Sequence, residues 1–493
     1  EIASCLVGSE MCIRDRPYEE KSWVQYFMPY GEVGMVKNAS KDVVLGVEIK
    51  DGNGTIKLYT TSKYDNVQVI AKDISGKQYF NKRNEISPAK AFIATFSIGD
   101  TVEEDLIVEV RNEENKLMVS FQADKPEIRP IPEPAKAAKA PKDIASIEQL
   151  YLTGLHLEQY RHATYNPLDY YQEALNREEG DVRCNNAVGL LLMRRGQFSK
   201  AQPYFERAIK TLTERNPNPY DGEPYYNLGW CLKMQNKVDE AYSAFYKSTW
   251  NAAFQDPAYL ALAQIETSKG NYESALELID RSIIRNWHNH KARQLKISLL
   301  RLTGNYESAI NLVKESLDID KFNMGCRFEY YLNLKTMGKI SEANIVLAEM
   351  EELMHGAVHS YIEYALDFSN AGLFDEAEEL LKLQVKGKNT YPIIYYALGY
   401  FALKNNQREK ALTYYKEAAK MCPDYCFPNK LEEVLMLQDA MMLNPEDAKA
   451  PYYLGNFWYG ARQYEEAVAC WEKSVQLDDA FPTAFRNLSL AYY

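Results

Sequence analysis

Between residues 23 and 122 apolar side chains recur at every second position, the repeat of a half-buried β-strand. Leu45, Val47 and Ile49 share one face; Ile56 with Leu58, and Val67 with Val69, follow the same rule. Phe92, Ala94 and Phe96 continue it, then Leu106, Val108 and Val110, then Leu117, Val119 and Phe121. Asp51-Gly52-Asn53-Gly54 supplies residues that tolerate positive φ where a tight hairpin must turn, and Asn112 to Asn115 does similar work before the last run. About seven short strands at this spacing predict a small antiparallel sandwich, immunoglobulin-like, over residues 17–124. Residues 23–30 read alternatively as the last strand of a domain further upstream.

The pattern then changes twice. Residues 125–144 are rich in Pro, Ala and Lys, the composition of a semi-rigid spacer. Beyond it Ala241, Ala275, Ala309, Ala343, Ala377 and Ala411 return at an interval of 34 residues, the tetratricopeptide period. Gly270, Gly304, Gly338 and Gly372 stand five residues ahead of four of these alanines, where two antiparallel helices must turn. Small residues follow seven positions after an alanine at Ser248, Ser282, Ser316 and Ala418. Phe245, Ile279, Val313, Leu347, Leu381 and Tyr415 are the bulky residues that fill between them. Gly189, Gly196, Phe198, Ala201, Phe205 and Ala208 make an earlier copy; Leu454, Gly455, Ala467 and Trp471 make a later one.

Two intervals break step. Ala201 to Ala241 is 40 residues, which places six extra residues near 216–221. Ala411 to Ala467 is 56, which leaves a shortened unit around 431–445. The expected fold is therefore a sandwich followed by an all-α right-handed tetratricopeptide superhelix over 145–493, with a long concave groove. Residues 485–493 read as the opening helix of a repeat without a partner helix, so the array is expected to continue. The opening stretch Leu6 to Arg16 resembles the in-frame translation of a transposon-type sequencing adapter, carried by metagenomic gene calls, and residues 1–16 are expected to lie outside the fold.

Bulk chemistry narrows the function. The chain has 493 residues, 46% hydrophobic and 26% charged, which points to two or more folded units. Its net charge is -12, and an acidic surface without a basic stripe argues against nucleic acid. No apolar run has the length needed to cross a bilayer. The eight cysteines show no metal-ligand spacing, Cys422 and Cys426 included, so no metal or cofactor is expected. Unpaired cysteines favour a reducing compartment, the cytoplasm. No phosphate-binding glycine loop or nucleophile elbow is present, which leaves catalytic residues unassigned and the question of an enzyme open.

Candidate binding residues gather in the first repeats. Glu223, Tyr226, Asn227 and Trp230 fall on or near the inner face of one first helix, and Asn186 holds the place of Tyr226 in the unit before it. Aromatic faces beside amides and a carboxylate suit a sugar or an extended peptide, while Tyr226 and Trp230 would equally serve as packing residues. The clamp some repeat proteins use for a terminal carboxylate needs lysines and an arginine, and only Asn227 matches it. At the start of the array His156, Glu158, Arg161 and His162 could polarise a bond or shuttle a proton. The simpler reading is a polar first helix docked on the β module. His288 and His290 read as a loop pair.

Three stretches also resemble a family of large bacterial proteins that share a conserved domain of unknown function: Trp23-Val24-Gln25-Tyr26-Phe27 with Val36-Lys37-Asn38-Ala39, Leu150 to Tyr160, and Arg215 to Asn227. The resemblance implies an upstream mutarotase-like β-supersandwich, then a small sandwich, then tetratricopeptide repeats. It also implies a link to carbohydrate, carried chiefly by the upstream domain. The expected role is a scaffold holding a protein segment or that upstream domain. The alternative is the C-terminal half of a carbohydrate-binding or carbohydrate-active enzyme whose first repeats complete the sugar site.

Overall fold

The computed structural model describes residues 26–125, 137–160 and 164–493. The adapter-like opening, Trp23, and the candidate residues Arg161 and His162 lie outside the described residues. The chain forms two compact units, divided within the Pro-rich stretch.

In the first unit β1 (Asn38–Ala39), β2 (Val43–Lys50), β3 (Asn53–Thr60) and β6 (Phe92–Ser97) form one sheet in the order β1-β2-β3-β6. A second sheet runs β5 (Gln78–Ile86), β4 (Tyr64–Asp73), β7 (Leu106–Arg111), β8 (Leu117–Gln122). β3 pairs with β6 and β4 with β7, so the chain crosses repeatedly between sheets, as in an immunoglobulin-like sandwich. Leu45, Val47, Ile56, Leu58, Val67, Val69, Leu106, Val108 and Val110 are buried between them, as their alternation requires. Asp51 (φ 49°) and Gly52 (φ 71°) form the two-residue hairpin turn whose twist matches its strands. Residues 26–30 carry no strand.

Periodicity alone misses β5. It is an edge strand bonded only to β4, with Lys82, Arg83 and Glu85 along it, and such charges discourage pairing with another chain.

The second unit holds twenty α-helices among the described residues. They pair as α1 (Ile147–Gln159) with α2 (Pro167–Arg177), α3 (Val182–Arg194) with α4 (Phe198–Thr213), and α5 (Glu223–Met234) with α6 (Val238–Ser248). Next come α7 (Gln255–Ser268) with α8 (Tyr272–Arg285), α9 (His290–Leu302) with α10 (Tyr306–Ile319), and α11 (Met324–Thr336) with α12 (Ile340–Met354). Then follow α13 (Val358–Asn370) with α14 (Phe374–Lys382) and α15 (Pro392–Lys404) with α16 (Arg408–Lys420). The 56-residue interval holds a single helix, α17 (Leu431–Leu443), before α18 (Lys449–Gly460) pairs with α19 (Tyr464–Leu477) and α20 (Pro482–Tyr492) follows. Part of the expected spacer belongs to this unit. The Tyr170 hydroxyl donates to the Lys139 carbonyl at 2.9 Å, Arg177 donates to the Ile144 carbonyl at 2.7 Å, and Ile144 is buried.

The alanines of the 34-residue register are buried to within 1% exposure, which lets each second helix approach its partner closely. The volume that the second helix then inserts is matched across the pair. A β-carbon added to Gly229 would lie 2.6 Å from the Phe245 ring, and one at Gly189 would lie 2.6 Å from Phe205. Gly399 meets Tyr415 and Gly455 meets Trp471 in the same way. In the central repeats the inserted residue is Ile279, Val313, Leu347 or Leu381, and the glycine's place is taken by Ala263, Ile297, Tyr331 or Ala365. Large against none, smaller against more, keeps the interior filled.

The turn between paired helices needs one left-handed residue. Gly196, Gly270, Gly304, Gly338 and Gly372 supply it with φ between 73° and 78°. Asn236, Asn406 and Arg462 adopt it without being glycine, at φ 61°, 59° and 58°. Asparagine tolerates this region; arginine does so at a cost.

The structure departs from the open trough that the repeat implies. Lys233 at the end of α5 donates to the Asn370 carbonyl at the end of α13, 3.2 Å away. Arg301 on α9 reaches Glu376 on α14 at 2.9 Å. Gln197 and Lys200 at the start of α4 reach Glu466 on α19 at 3.0 and 3.3 Å, and Leu431 and Leu435 of α17 pack with Phe198, Phe205 and Cys231. First helices thus converge at their C-terminal ends, and the solenoid closes across its own axis there.

Candidate functional site

The inner face is open at the beginning of the array. A cavity of about 200 Å³ lies among α1, α2, α3 and the residues leading into α5. From α1 come Tyr151, Leu155 and Glu158, spaced four and three apart on one face; from α3 come Arg183, Asn186, Ala187, Leu190 and Arg194, again one helical stripe. Asp221 enters from the loop that the six extra residues lengthen, and Glu223 from the first position of α5.

Most charges here are committed. Glu158 accepts from the Tyr171 hydroxyl at 3.0 Å and from Arg194 at 2.5 Å. Arg183 pairs with Glu148 at 2.6 Å and lies over the Tyr151 ring, 4.7 Å from its centroid. The hydrogen bond from Arg183 to Glu148 raises the guanidinium's already high pKa further. Burial pushes the Tyr151 phenol up, and the neighbouring Glu223 charge adds to it. Burial likewise raises Tyr171, helped by the Glu158 charge.

Three groups remain unmatched among the described residues. The Glu223 carboxylate takes part in no ion pair or side-chain hydrogen bond, and Asp221 only accepts from the Glu223 main-chain N–H at 2.9 Å. Asn186 is 8% exposed and lines the cavity; its Oδ1 accepts from Asn227 Nδ2 at 2.9 Å, and its own Nδ2 makes no hydrogen bond.

The structure thus brings together Glu158, Asn186 and Glu223, with Asn227 behind them. It does not bring in the remaining described candidates. His156 is exposed and stacks on Tyr160 with ring centroids 4.5 Å apart. Trp230 packs edge-on against Phe245 at 5.6 Å, and Tyr226 sits between Phe245 and Phe254 at 5.7 and 5.4 Å. Tyr151, Arg183, Arg194 and Asp221 were not singled out from sequence. Extending the Asn186 stripe along α3 by helical steps would have found both arginines.

Deeper in the array many inner-face charges are paired, around a second cavity of about 240 Å³ lined by His290, Lys291, Gln294, Asn323, Glu363 and Asp367. Glu329 on α11 is wholly buried, held by Arg301 at 2.9 and 3.1 Å and by the Ser298 hydroxyl at 2.7 Å. Lys291 pairs with Asp367 at 2.6 Å, and burial pushes that carboxyl up from its usual range. Burial lowers the Lys233 ammonium to about 8, against the opposing pull of Glu432. Among the described residues no three His, Cys, Asp or Glu side chains gather as a metal site, and no helix is long and apolar enough to cross a membrane.

The helical unit is a tetratricopeptide-repeat solenoid, the class of fold that serves as a protein-interaction scaffold: tetratricopeptide-repeat models match residues 187–256 and 393–425. The β unit matches the second domain of YphG-like proteins over residues 38–121, so the chain joins a YphG-like second domain to tetratricopeptide repeats. Solved structures similar to it include a tetratricopeptide repeat protein from Parabacteroides merdae, 17% identical over 53% of this chain and 98% of that one, with a TM-score of 0.35. Pseudomonas aeruginosa pilF is 16% identical over 43% of this chain and 92% of its own, with a TM-score of 0.36.

Proposed function

We propose that the chain is a scaffold whose first helix pairs hold a segment of a protein, either a separate partner or the upstream mutarotase-like domain that the family resemblance implies. The observation that carries this reading is the cavity lined by α1 and α3, where two carboxylates lack a counter-ion among the described residues and Asn186 Nδ2 makes no hydrogen bond, whereas the charges of the central inner face are largely paired. Main-chain carbonyls and side chains of an extended segment would complete them. A sugar site would call for open aromatic faces. Tyr226 and Trp230 turn theirs to Phe245, and Tyr151 is covered by Arg183.

Peptides selected from a displayed library against the full chain test this. Ala187→Leu, which fills the cavity from its wall, should weaken them at least tenfold. Ser360→Ala, on α13, should leave them unchanged. Binding that ignores Ala187→Leu would refute the assignment.

A further inference from the structure

The charges lining the cavity at the start of the array do not cancel. Glu158, Asp221 and Glu223 face Arg183 and Arg194. Both arginines are already spent, Arg194 on Glu158 and Arg183 on Glu148 outside the lining set. The carboxylates of Asp221 and Glu223 have no counter-ion among the described residues, and they are two positions apart at the mouth of α5. Like charges held together beside a half-enclosed space favour a cation between them.

A second, independent feature points the same way into the same space. Asn186 is more than nine-tenths buried, and its amide is oriented by the bond it accepts from Asn227. Its Nδ2 makes no hydrogen bond among the described residues and is not fully buried, so it remains a donor within reach of an arriving acceptor. A cation on one side and a carbonyl oxygen on the other are what a basic residue of a peptide, or a peptide's free amino end, presents within one residue's length. The enclosed volume of about 200 Å³ suits a group of that size.

We propose that this cavity recognises a cationic group of a protein segment, a lysine or arginine side chain or a free amino terminus, with the positive nitrogen against Glu223 and Asp221 and a neighbouring carbonyl on Asn186 Nδ2. The proposal rests on the scaffold reading and names the chemistry of its partner. It is the reverse of a carboxylate clamp: this inner face offers its free charges to a cation.

The test uses the full chain and positional-scanning hexapeptides made in two forms, N-acetylated and with a free amine. Enrichment of Lys or Arg among acetylated peptides supports a side-chain ligand, and binding that needs the free amine supports a terminal one. In either case Glu223→Gln with Asp221→Asn should lower affinity tenfold or more, with circular dichroism unchanged. Glu223→Lys should turn the preference toward Asp and Glu. If neutral or acidic peptides bind best to the unaltered chain and Ala187→Leu still abolishes binding, the cationic assignment fails while the scaffold reading stands. If Ala187→Leu has no effect on any bound peptide, both fall.

Discussion

Glu329 and Glu223 belong to first helices of the same array, yet Glu329 is wholly buried against Arg301 and Ser298 while Glu223 faces a cavity with no partner. The central repeats bring Glu329 and Arg301 together in the interior; in the first repeats Glu158 meets Arg194, and Glu223 is left without a counter-ion among the described residues. The turns and the helix pairs differ along the array too. The central turns use Gly270, Gly304, Gly338 and Gly372, and the α3–α4 turn uses Gly196, whereas Asn236, Asn406 and Arg462 serve at α5–α6, α15–α16 and α18–α19. The central helix pairs insert aliphatic residues, and those toward the ends insert aromatic rings against glycine. A repeat period thus fixes how neighbours stack but leaves each repeat free to be structural or receptive.

Three substitutions probe that contrast. The largest effect belongs to the centre: Glu329→Leu leaves a buried guanidinium short of its main partner and should cost about 3–5 kcal/mol in denaturant unfolding. Adding Arg301→Met should recover most of the loss. A loss within experimental error would mean that the central inner face is as open as the first. Next, Gly399→Ala sets a methyl into the Tyr415 ring and should cost about 1–3 kcal/mol by the same measurement. Combining it with Tyr415→Leu, which recreates the central pairing, should cost less than the two changes summed. The smallest effect has the opposite sign. Arg462→Gly relieves a left-handed arginine and should raise stability by about 0.5–1 kcal/mol, seen as a higher midpoint of thermal unfolding, because its side chain is exposed. No gain there would show that the arginine makes a compensating contact.

Much of this was legible beforehand. Alternation located Leu45, Val47, Ile56 and Leu58 in the sandwich core, and the alanine register located every helix pair from α3 to α16. β5 was missed because Asn81, Lys82, Arg83, Asn84 and Glu85 leave it without an apolar alternation, Ile86 being its one buried residue. The left-handed role of Asn236, Asn406 and Arg462 was missed because glycine was taken as its mark, although the register places them five residues before Ala241, Ala411 and Ala467. Of the candidate residues, Glu158, Asn186 and Glu223 share a cavity, whereas Tyr226 and Trp230 turn inward onto Phe245. A helical wheel places those rings near the inner face; only the neighbouring helix shows which side of the stripe it covers.

What the amino-acid order alone determined was everything local in reach: strand alternation, the 34-residue return of alanine, and the glycine that turns one helix back on the next. These depend on contacts within a strand pair or between successive helices. Tertiary structure decided which inner-face groups would be satisfied. Lys233 meets Asn370 across 137 residues of chain and Gln197 meets Glu466 across 269. Those meetings follow from small rotations summed over many repeats, so no single repeat encodes them.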